Sequence, residues 1–358
     1  MTSGFNHATR GSAKQVLEAL KRYRRILITG HIRPDGDATG SCVAMGRLLK
    51  AQGWETTVAL SPVGMGPVKF LLDYADCLAP TNVHARDYDC ALVLDCGGLE
   101  RLPDGPLRDA VSRLPVVNID HHVTNAKFGE ARWVVPTGSS TGELVYRFAR
   151  RWKWTFDRQT AEALWVALVT DTGRFAYSST QPTTLRAAAE LLACGVDSSA
   201  INDRLYLYAS EGAMYLRRRA YDSLQTFFRG RVSQIVLTAR DFRRAGVPKS
   251  EVEDVIDIPR SVPTAQIALF FYETKDKPGI TRVSVRSRAD SPSAVAVAHH
   301  FGGGGHLRAA GCDIPGPPKV AVAKVKAYLT ELFEEAAKAA PAEGGAAPEP
   351  HRVSSRRV

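Results

Sequence analysis

The first half of the chain alternates between short apolar runs and longer segments with polar positions every few residues. Three runs, Arg25–Thr29, Cys90–Leu94 and 115–119, have the length and apolar content of strands buried on both faces. Helices are expected at about 37–52 and 157–171. Strands that alternate with helices in this way predict an α/β domain built on a parallel sheet.

The second half of the chain has its own pattern and predicts a smaller α/β unit. Strands are expected at 232–238, 266–273 and 281–287, and helices at 249–258, 293–301 and 320–335. A connecting helix is expected over 211–228, and the Ala-, Pro- and Gly-rich segment 336–358 predicts a disordered tail. The 358 residues suffice for two domains with a core each, which we expect at 14–205 and 229–335, with a linker at 206–228.

Acidic and histidine side chains follow the ends of the predicted elements in the first half. They are His31, Asp35, Asp37, Asp95, Asp120, His121, His122 and Asp171. In open parallel sheets the ligand crevice lies outside the carboxyl ends of the strands, so we expect these side chains to point into one crevice. A single Asp at such a position is more often a helix cap or a turn former. Here four separate segments deliver Asp or His to element ends, which favours a common site.

Five of these residues are carboxylates, and they would repel one another at one site unless cations lay between them. Imidazole and carboxylate together are ligands for Mn, Fe or Zn ions. The candidates for direct metal contact are His31, Asp35, Asp37, Asp95, His121 and Asp171. These are too many for one ion with an open position, but they suit two ions that share a bridging carboxylate. Two ions roughly 3.5–4 Å apart promote phosphoryl transfer.

The second half offers groups that suit an anionic substrate. Strand 281–287 alternates polar and apolar residues, so its polar face can present the guanidinium group of Arg286, with Arg288 just beyond. The glycine run 302–305 frees backbone N–H groups to approach an anion or a base. We expect substrate contacts from Arg286, Arg288, Gly303, Gly304, Gly305 and His306. Exposed arginines and flexible glycine loops are also common without any ligand.

These motifs, in this order, resemble those of the DHH phosphoesterase superfamily, which is named for a triplet like Asp120-His121-His122. The segment 302–311, Gly-Gly-Gly-Gly-His-Leu-Arg-Ala-Ala-Gly, is similar to the glycine-rich signature of the DHHA1 substrate-binding domain. Within the superfamily the chain resembles the nanoRNase subfamily over about residues 14–333. The resemblance implies a DHH domain at 14–205, a DHHA1 domain at 229–335 and an active site in the cleft between them.

The resemblance also implies a role for each site residue. One Mn²⁺ would be held by His31, Asp35 and Asp95 and the other by Asp37, Asp95, His121 and Asp171, with Mg²⁺ or Co²⁺ as alternative ions. Asp120 would accept a hydrogen bond from the metal-bound imidazole and fix its tautomer. His122 would face the substrate phosphate as a hydrogen-bond donor or acid. The segment Cys96-Gly97-Gly98 departs from the subfamily pattern, in which small polar residues are more usual.

Charge and composition add little to this prediction. The net charge of +10 (47 basic and 37 acidic residues) and the pI of about 9.4 suit a polyanionic substrate but are ordinary for a protein of this size. No apolar run approaches the length of a membrane span, and residues 1–15 lack the apolar core of a signal peptide. We therefore expect a cytoplasmic protein with six reduced cysteines, in which Cys96 neighbours the site without binding metal.

The function that the resemblance implies is hydrolysis of short RNA oligonucleotides, of two to a few nucleotides, and of 3′-phosphoadenosine 5′-phosphate. It is compatible with a homodimer and needs no membrane partner. Three other enzymes share parts of the pattern: a cyclic dinucleotide phosphodiesterase, a single-strand exonuclease and an inorganic pyrophosphatase. The last has a different C-terminal domain. A catalytically silent nucleotide-binding regulator is the alternative outside enzymes, and intact motif residues argue against it.

Overall fold

The computed structural model of the protein describes residues 10–62, 65–273, 278–288 and 292–339. These residues form two units, which divide between Tyr208 and Ala209. Each unit has its own sheet and its own hydrophobic core. Among the described residues, no helix combines the length and the apolar character that crossing a bilayer requires.

The sheet of the first unit is parallel apart from one edge pair, which confirms the predicted architecture. Its strands in the described residues are β1 (Arg10–Gly11), β2 (Arg25–Thr29), β3 (Glu55–Ala59), β4 (Cys77–Leu78), β5 (Cys90–Leu94), β6 (Val116–Asp120) and β7 (Ala131–Val134). Their spatial order is β1-β7-β6-β5-β2-β3-β4, and only β1 and β7 run antiparallel. The central strands are apolar at nearly every position because both of their faces are buried.

The strand order reverses between β2 and β5. From β2 the chain builds outward through β3 and β4, and it then returns to add β5, β6 and β7 on the other side of β2. The crevice outside the carboxyl ends of the strands lies at such a switch point. The loops that follow β2, β5 and β6 therefore meet at one place, and these are the loops that carry most of the predicted site residues.

Closely packed helices position the remaining site residues of the first unit. Its described helices are α1 (Ala13–Leu20), α2 (Gly36–Ala51), α3 (Pro106–Val111), α4 (Thr141–Arg151), α5 (Arg158–Asp171), α6 (Pro182–Ala193) and α7 (Ser198–Asn202). A Cβ atom at Gly40 of α2 would lie 2.3 Å from the carbonyl oxygen of Ala163, and one at Gly142 of α4 would lie 2.3 Å from the Cβ of Ala167. Glycine thus allows α2 and α4 to approach α5 closely. The two predicted helices, here α2 and α5, are confirmed with ends within one residue.

The second unit is a mixed sheet with helices. Its described strands are β8 (Gln225–Phe227), β9 (Val232–Leu237), β10 (Ile267–Tyr272), β11 (Ile280–Ser287), β12 (Gly304–His306) and β13 (Ala309–Pro315), in the order β12-β13-β11-β10-β9-β8. Its described helices are α8 (Glu211–Asp222), α9 (Ala239–Ala245), α10 (Asp257–Arg260), α11 (Ala294–His300) and α12 (Pro318–Ala339). Only β9 and β10 pair in parallel.

Two expectations for this half are wrong in detail, and the helical segment expected at 249–258 is confirmed but is mainly a 3₁₀ helix. The helix expected over 211–228 ends at Asp222, because the chain turns at Arg229 and Gly230 and pairs Phe227 with Val232 in a hairpin of β8 and β9. The helix expected at 249–258 is a 3₁₀ helix at Lys249–Ile256 followed by α10. Helix α12 extends to Ala339, so the expected disordered tail does not begin at 336, and residues 340–358 lie outside the described residues.

Candidate metal and active site

The loop between β2 and α2 brings three of the predicted ligands together. Asp35 is the N-cap of α2, and its Oδ1 accepts hydrogen bonds from the N–H groups of Asp37 and Ala38, both at 3.0 Å. Its Oδ2 lies 3.9 Å from the Nε2 of His31. The Nδ1 of His31 lies 2.8 Å from the carbonyl oxygen of Ile32. A proton on Nδ1 satisfies that contact and leaves the Nε2 lone pair facing the carboxylates.

Asp95 directly follows β5, and its two carboxylate oxygens face different histidines. Its Oδ2 lies 3.6 Å from the Nε2 of His31, and its Oδ1 lies 3.5 Å from the Nε2 of His121. The side chain is almost fully buried, and its backbone has a positive φ of 51°. Such a conformation is uncommon outside glycine and occurs where local structure serves a functional site. Asp95 is therefore placed to bridge two ligand groups.

The second group consists of Asp37, His121 and Asp171. The Nε2 of His121 lies 3.7 Å from the Oδ2 of Asp37 and 3.5 Å from the Oδ2 of Asp171. The Nδ1 of His121 lies 3.2 Å from the carbonyl oxygen of Gly138, so this ring also turns Nε2 towards the carboxylates. Asp171 is the last residue of α5, and the packing of α5 on α2 brings it to Asp37.

The N-terminus of α4 binds the carboxylate of Asp37. The backbone N–H of Thr141 donates to Oδ2 at 2.7 Å, and that of Gly142 donates to Oδ1 at 2.8 Å. The hydroxyl of Thr141 donates to the Oδ1 of Asp95 at 3.0 Å. Thr141 thus orients a ligand of each group, which the sequence reasoning missed. The Ser140 cap and Glu143 do identify a helix start in the sequence, but not the target of its N–H groups.

The acidic residues perturb one another strongly. Burial raises the pKa of Asp37 well above its usual range, and the charges of Asp95 and Asp171 add to the effect. Burial likewise raises the pKa of Asp171 to about 6, against the opposing influence of His121. Burial also disfavours the charged form of Asp95, but His31, His121 and His122 outweigh it and hold the pKa of Asp95 below its ordinary value.

These residues fit divalent cations. Nitrogen and oxygen atoms of His31, Asp35 and Asp95 lie within 4.8 Å of one another, and so do those of Asp37, His121 and Asp171. Separations of 3.5–3.9 Å between Nε2 and carboxylate oxygens are too long for hydrogen bonds. They suit two atoms that each lie about 2.0–2.2 Å from a shared cation. A cation would also offset the repulsion that raises the pKa of Asp37 and Asp171.

Asp120 and His122 form a pair beside these groups. The Nδ1 of His122 lies 2.7 Å from the Oδ1 of Asp120, whose Oδ2 accepts from the Nδ2 of Asn125 at 2.7 Å. The expectation that Asp120 binds the ring of the metal-facing histidine is therefore wrong. It contacts His121 through the backbone N–H, and the carbonyl of Gly138 holds that ring instead. Asn125 lies five residues after Asp120, and the sequence alone indicated no role for it.

The pair favours the cationic form of His122. Burial lowers the pKa of His122, but the hydrogen bond and the charge of Asp120 dominate and raise it to about 9. The neighbouring thiol of Cys96 donates to the carbonyl of Gly98 at 3.1 Å, and burial raises the pKa of this thiol to about 12. A protonated buried thiol is a poor metal ligand, in keeping with the prediction that Cys96 is only a neighbour.

The substrate-contact candidates of the second unit lie on β11 to β13. Arg286 is half-buried on β11, and its Nη1 donates to the carbonyl of Val285 at 3.1 Å. The guanidinium of Arg288 donates to the carbonyls of Pro263 and Arg260 at 2.7 and 2.5 Å. Arg288 therefore links two backbone segments. Its guanidinium N–H groups that bind these carbonyls are not available to a phosphate.

The glycine run forms part of the sheet and is less of a free loop than expected. Gly304, Gly305 and His306 form edge strand β12, which pairs with β13. A Cβ atom at Gly303 would lie 2.3 Å from the carbonyl oxygen of Gly311, and one at Gly305 would lie 2.6 Å from the Cα of Ala310. These two glycines are thus explained by the close packing of β12 on β13.

Comparison with known proteins identifies the class to which this fold and site belong. The sequence model of the "DHH family, N-terminal domain" matches residues 25–168, and that of the "DHHA1 domain" matches residues 232–338. The chain belongs to the DHH phosphoesterase family and carries a DHHA1 domain. It is an enzyme of the phosphodiesterase and phosphatase type.

Particular relatives narrow this class. A bifunctional oligoribonuclease and PAP phosphatase of Thermus thermophilus is 31% identical over 305 residues, covering 84% of this chain and 88% of the relative. The protein of the same description from Bacillus subtilis is 26% identical, with 84% and 92% covered. The crystal structure of an exopolyphosphatase-related protein from Bacteroides fragilis, 26% identical, superposes with a TM-score of 0.80 over 92% of this chain and 98% of that one.

Proposed function

We propose that the protein is a divalent-metal-dependent phosphohydrolase that degrades oligoribonucleotides of two to a few nucleotides to mononucleotides. We propose 3′-phosphoadenosine 5′-phosphate as a second substrate. The relatives from Thermus thermophilus and Bacillus subtilis, each a bifunctional oligoribonuclease and PAP phosphatase, support both substrates. The single observation that carries the proposal is the position of Asp95, whose two oxygens lie 3.6 and 3.5 Å from the Nε2 atoms of two different histidines.

The proposed metal ligands follow from these distances. One ion would be held by His31, Asp35 and the Oδ2 of Asp95, and the other by Asp37, His121, Asp171 and the Oδ1 of Asp95. Oxygen-rich ligands with one imidazole each suit Mn²⁺, with Mg²⁺ or Co²⁺ as alternatives. When bound, such a pair of ions supplies an acidified water and offsets the charge of the reacting phosphate.

The protein's own groups orient the ligands and supply a cation. Backbone carbonyls of Ile32 and Gly138 orient the two imidazoles, and Thr141 orients Asp37 and Asp95. Asp120 keeps the proton on the Nδ1 of His122 and favours its cationic form. We propose that the other ring nitrogen, Nε2, donates to the substrate phosphate and stabilises the charge that develops during displacement.

We propose that the second unit contacts the distal part of the substrate. Arg286 is the favoured contact, together with backbone N–H groups of the edge strand formed by Gly304, Gly305 and His306. An edge strand carries unpaired N–H and C=O groups, which can bind a base or a phosphate. Gly303 and Arg288 would act mainly by holding this region in place, because both contact backbone of the same unit closely.

A substrate panel tests the proposal. Purified protein with Mn²⁺ is assayed on a linear diribonucleotide, 3′-phosphoadenosine 5′-phosphate, a cyclic dinucleotide and a 20-residue RNA. We expect the diribonucleotide to have the highest kcat/KM and the long RNA the lowest, with all activity lost in chelator. Preference for the cyclic dinucleotide or for the long RNA would replace the proposed substrate class. Full activity after exhaustive metal removal would overturn the metal-dependent mechanism.

A further inference from the structure

A short loop beside His122 carries a cation to which sequence reasoning gave no role. Asp95 is followed by Cys96, Gly97 and Gly98 and then by the 3₁₀ helix Leu99–Arg101. A Cβ atom at Gly97 would lie 3.9 Å from the Cβ of His122, and the carbonyl of Gly97 accepts from the N–H of Ala126 at 2.7 Å. The loop therefore packs against residues 122–126 and is held to them by a backbone hydrogen bond.

The backbone of Arg101 is held between two ligand-bearing loops. Its N–H donates to the carbonyl of Gly98 at 3.1 Å, and its own carbonyl accepts from the N–H of Ile32 at 2.7 Å. Ile32 adjoins the candidate ligand His31. Behind the loop, the guanidinium of Arg108 donates to the carbonyls of Glu100, at 2.8 Å, and of Leu102. These bonds fix the point from which the Arg101 side chain extends.

Arg101 is half-buried, and its guanidinium has no carboxylate within ion-pair distance in the part of the chain that the structure describes. Two other arginines of the same unit illustrate the paired alternative: Arg25 lies 2.7 Å from Asp89, and Arg47 contacts Asp157. A partly desolvated cation without an anionic partner is unfavourable unless a ligand supplies the anion. Because Arg101 lies on a loop beside a phosphoesterase site, a phosphate group of the substrate is the anion to consider.

The charge of Arg101 acts in the same direction on two groups near the site. The charge of Arg101 lowers the pKa of His122, against the raising effect of Asp120. It also lowers the pKa of Cys96, although burial dominates there. Two cationic side chains, those of Arg101 and His122, extend from adjoining segments, because the loop before Arg101 lies against His122 at Gly97. Such an arrangement suits an anion with several oxygens.

We propose that Arg101 binds the non-bridging oxygens of the reacting phosphate, alongside His122. The inference rests on the proposed function and adds a substrate-binding residue to it. Guanidinium presents paired N–H donors that match two phosphate oxygens, so lysine replaces it only in part. Because charge on those oxygens grows or shifts during the displacement, the contact is expected to contribute to kcat as well as to substrate binding.

The test uses Arg101→Gln, Arg101→Lys and the control Arg86→Gln, which removes the charge of a surface arginine whose side chain is 85% exposed. On a linear diribonucleotide we expect Arg101→Gln to lower kcat/KM by about 10²-fold, Arg101→Lys by less, and Arg86→Gln not at all. Bound metal and melting temperature should stay unchanged in all three. A fourth variant, Arg101→Ala, leaves space for a free guanidinium ion, which at millimolar concentration should restore part of its activity.

Three negative outcomes are distinguishable. If the wild-type protein hydrolyses the diribonucleotide and Arg101→Gln has the same kcat/KM, the Arg101 inference is overturned and the proposed function stands. A loss of activity that accompanies a loss of metal or of melting temperature, without rescue by guanidinium, also overturns it, because Arg101 then serves the fold. If the wild-type protein hydrolyses no member of the substrate panel, the proposed function and this inference fail together.

Discussion

The Nδ1 of His122 lies 2.7 Å from the Oδ1 of Asp120, and this contact gives two adjacent histidines different chemistry. His121 turns Nε2 towards Asp37, Asp95 and Asp171, with its Nδ1 on a backbone carbonyl, as expected of a metal ligand. His122 instead has a carboxylate partner that keeps it cationic. The same residue type serves as ligand and as phosphate-binding group because the partner of Nδ1 differs.

Replacing that partner should change the pH dependence of turnover. Asp120 raises the pKa of His122, so Asp120→Asn should lower it, because burial and Arg101 then dominate. A group that acts as the cation loses activity as the pH rises through its pKa. The alkaline limb of the kcat profile should therefore move to lower pH by about one unit or more. An unshifted limb in Asp120→Asn, at unchanged metal content, would assign the limb to another group.

Metal binding should be linked to deprotonation of Asp171. Burial raises its pKa to about 6 in the metal-free protein, while a ligand carboxylate must be ionised. Affinity for Mn²⁺ should fall as the pH falls through 6, and binding near pH 6 should release a proton. Calorimetry in two buffers of different ionisation enthalpy measures this release. Asp171→Asn is the control and should release fewer protons on binding near pH 6, with a loss of part of the affinity, because Asp37 still has a raised pKa.

The close approach of α2 to α5 should make Gly40 intolerant of a side chain. Gly40→Ala would place a methyl group 2.3 Å from the carbonyl oxygen of Ala163, and backbone must move to accommodate it. We expect a loss of about 1–3 kcal/mol in unfolding free energy, measured by denaturant titration. The control is Gly46→Ala on the same helix, whose Cβ would meet side-chain atoms and no backbone, the nearest being a methyl group of Val58 at 3.0 Å. Equal effects of the two substitutions would contradict this explanation.

Arg286 and Arg288 should differ when each is replaced by alanine. Arg288 holds the carbonyls of Pro263 and Arg260, so Arg288→Ala should lower the melting temperature. Arg286→Ala should weaken diribonucleotide hydrolysis about tenfold or more at unchanged metal content, with less effect on an activated phosphodiester that lacks a distal nucleoside. Equal losses on both substrates would show that Arg286 has no distal contact.

Much of the first unit could be predicted because its signals are local. The apolar runs of β2, β5 and β6 and the caps of α2 and α5 are readable in the sequence, and parallel topology then places their carboxyl ends together. Contacts between side chains of different elements could not be predicted from the sequence. The contact of Asp120 with His122, the N–H groups of Thr141 and Gly142 on Asp37, and the unpaired Arg101 depend on tertiary packing.

The second unit was predicted less well for the same reason. The run Gln225–Phe227 continues a helical pattern, but it pairs with β9 because the hairpin turn lies directly after it. The sequence predicts that Gly303 and Gly305 leave space for a ligand, whereas the backbone of β13 lies against both glycines. The periodicity of a single segment cannot predict the pairing of β8 with β9 or of β12 with β13, because each pairing depends on a second strand.

Counting bound metal tests the central claim, that Asp95 bridges two ions, most directly. Native mass spectrometry after Mn²⁺ loading and dialysis should find two ions per wild-type chain and about one in Asp35→Ala. Because both groups use Asp95, Asp95→Ala should lose both ions, while Arg86→Gln keeps them. A single ion in the wild-type protein, or two ions retained in Asp95→Ala, would contradict the bridged site.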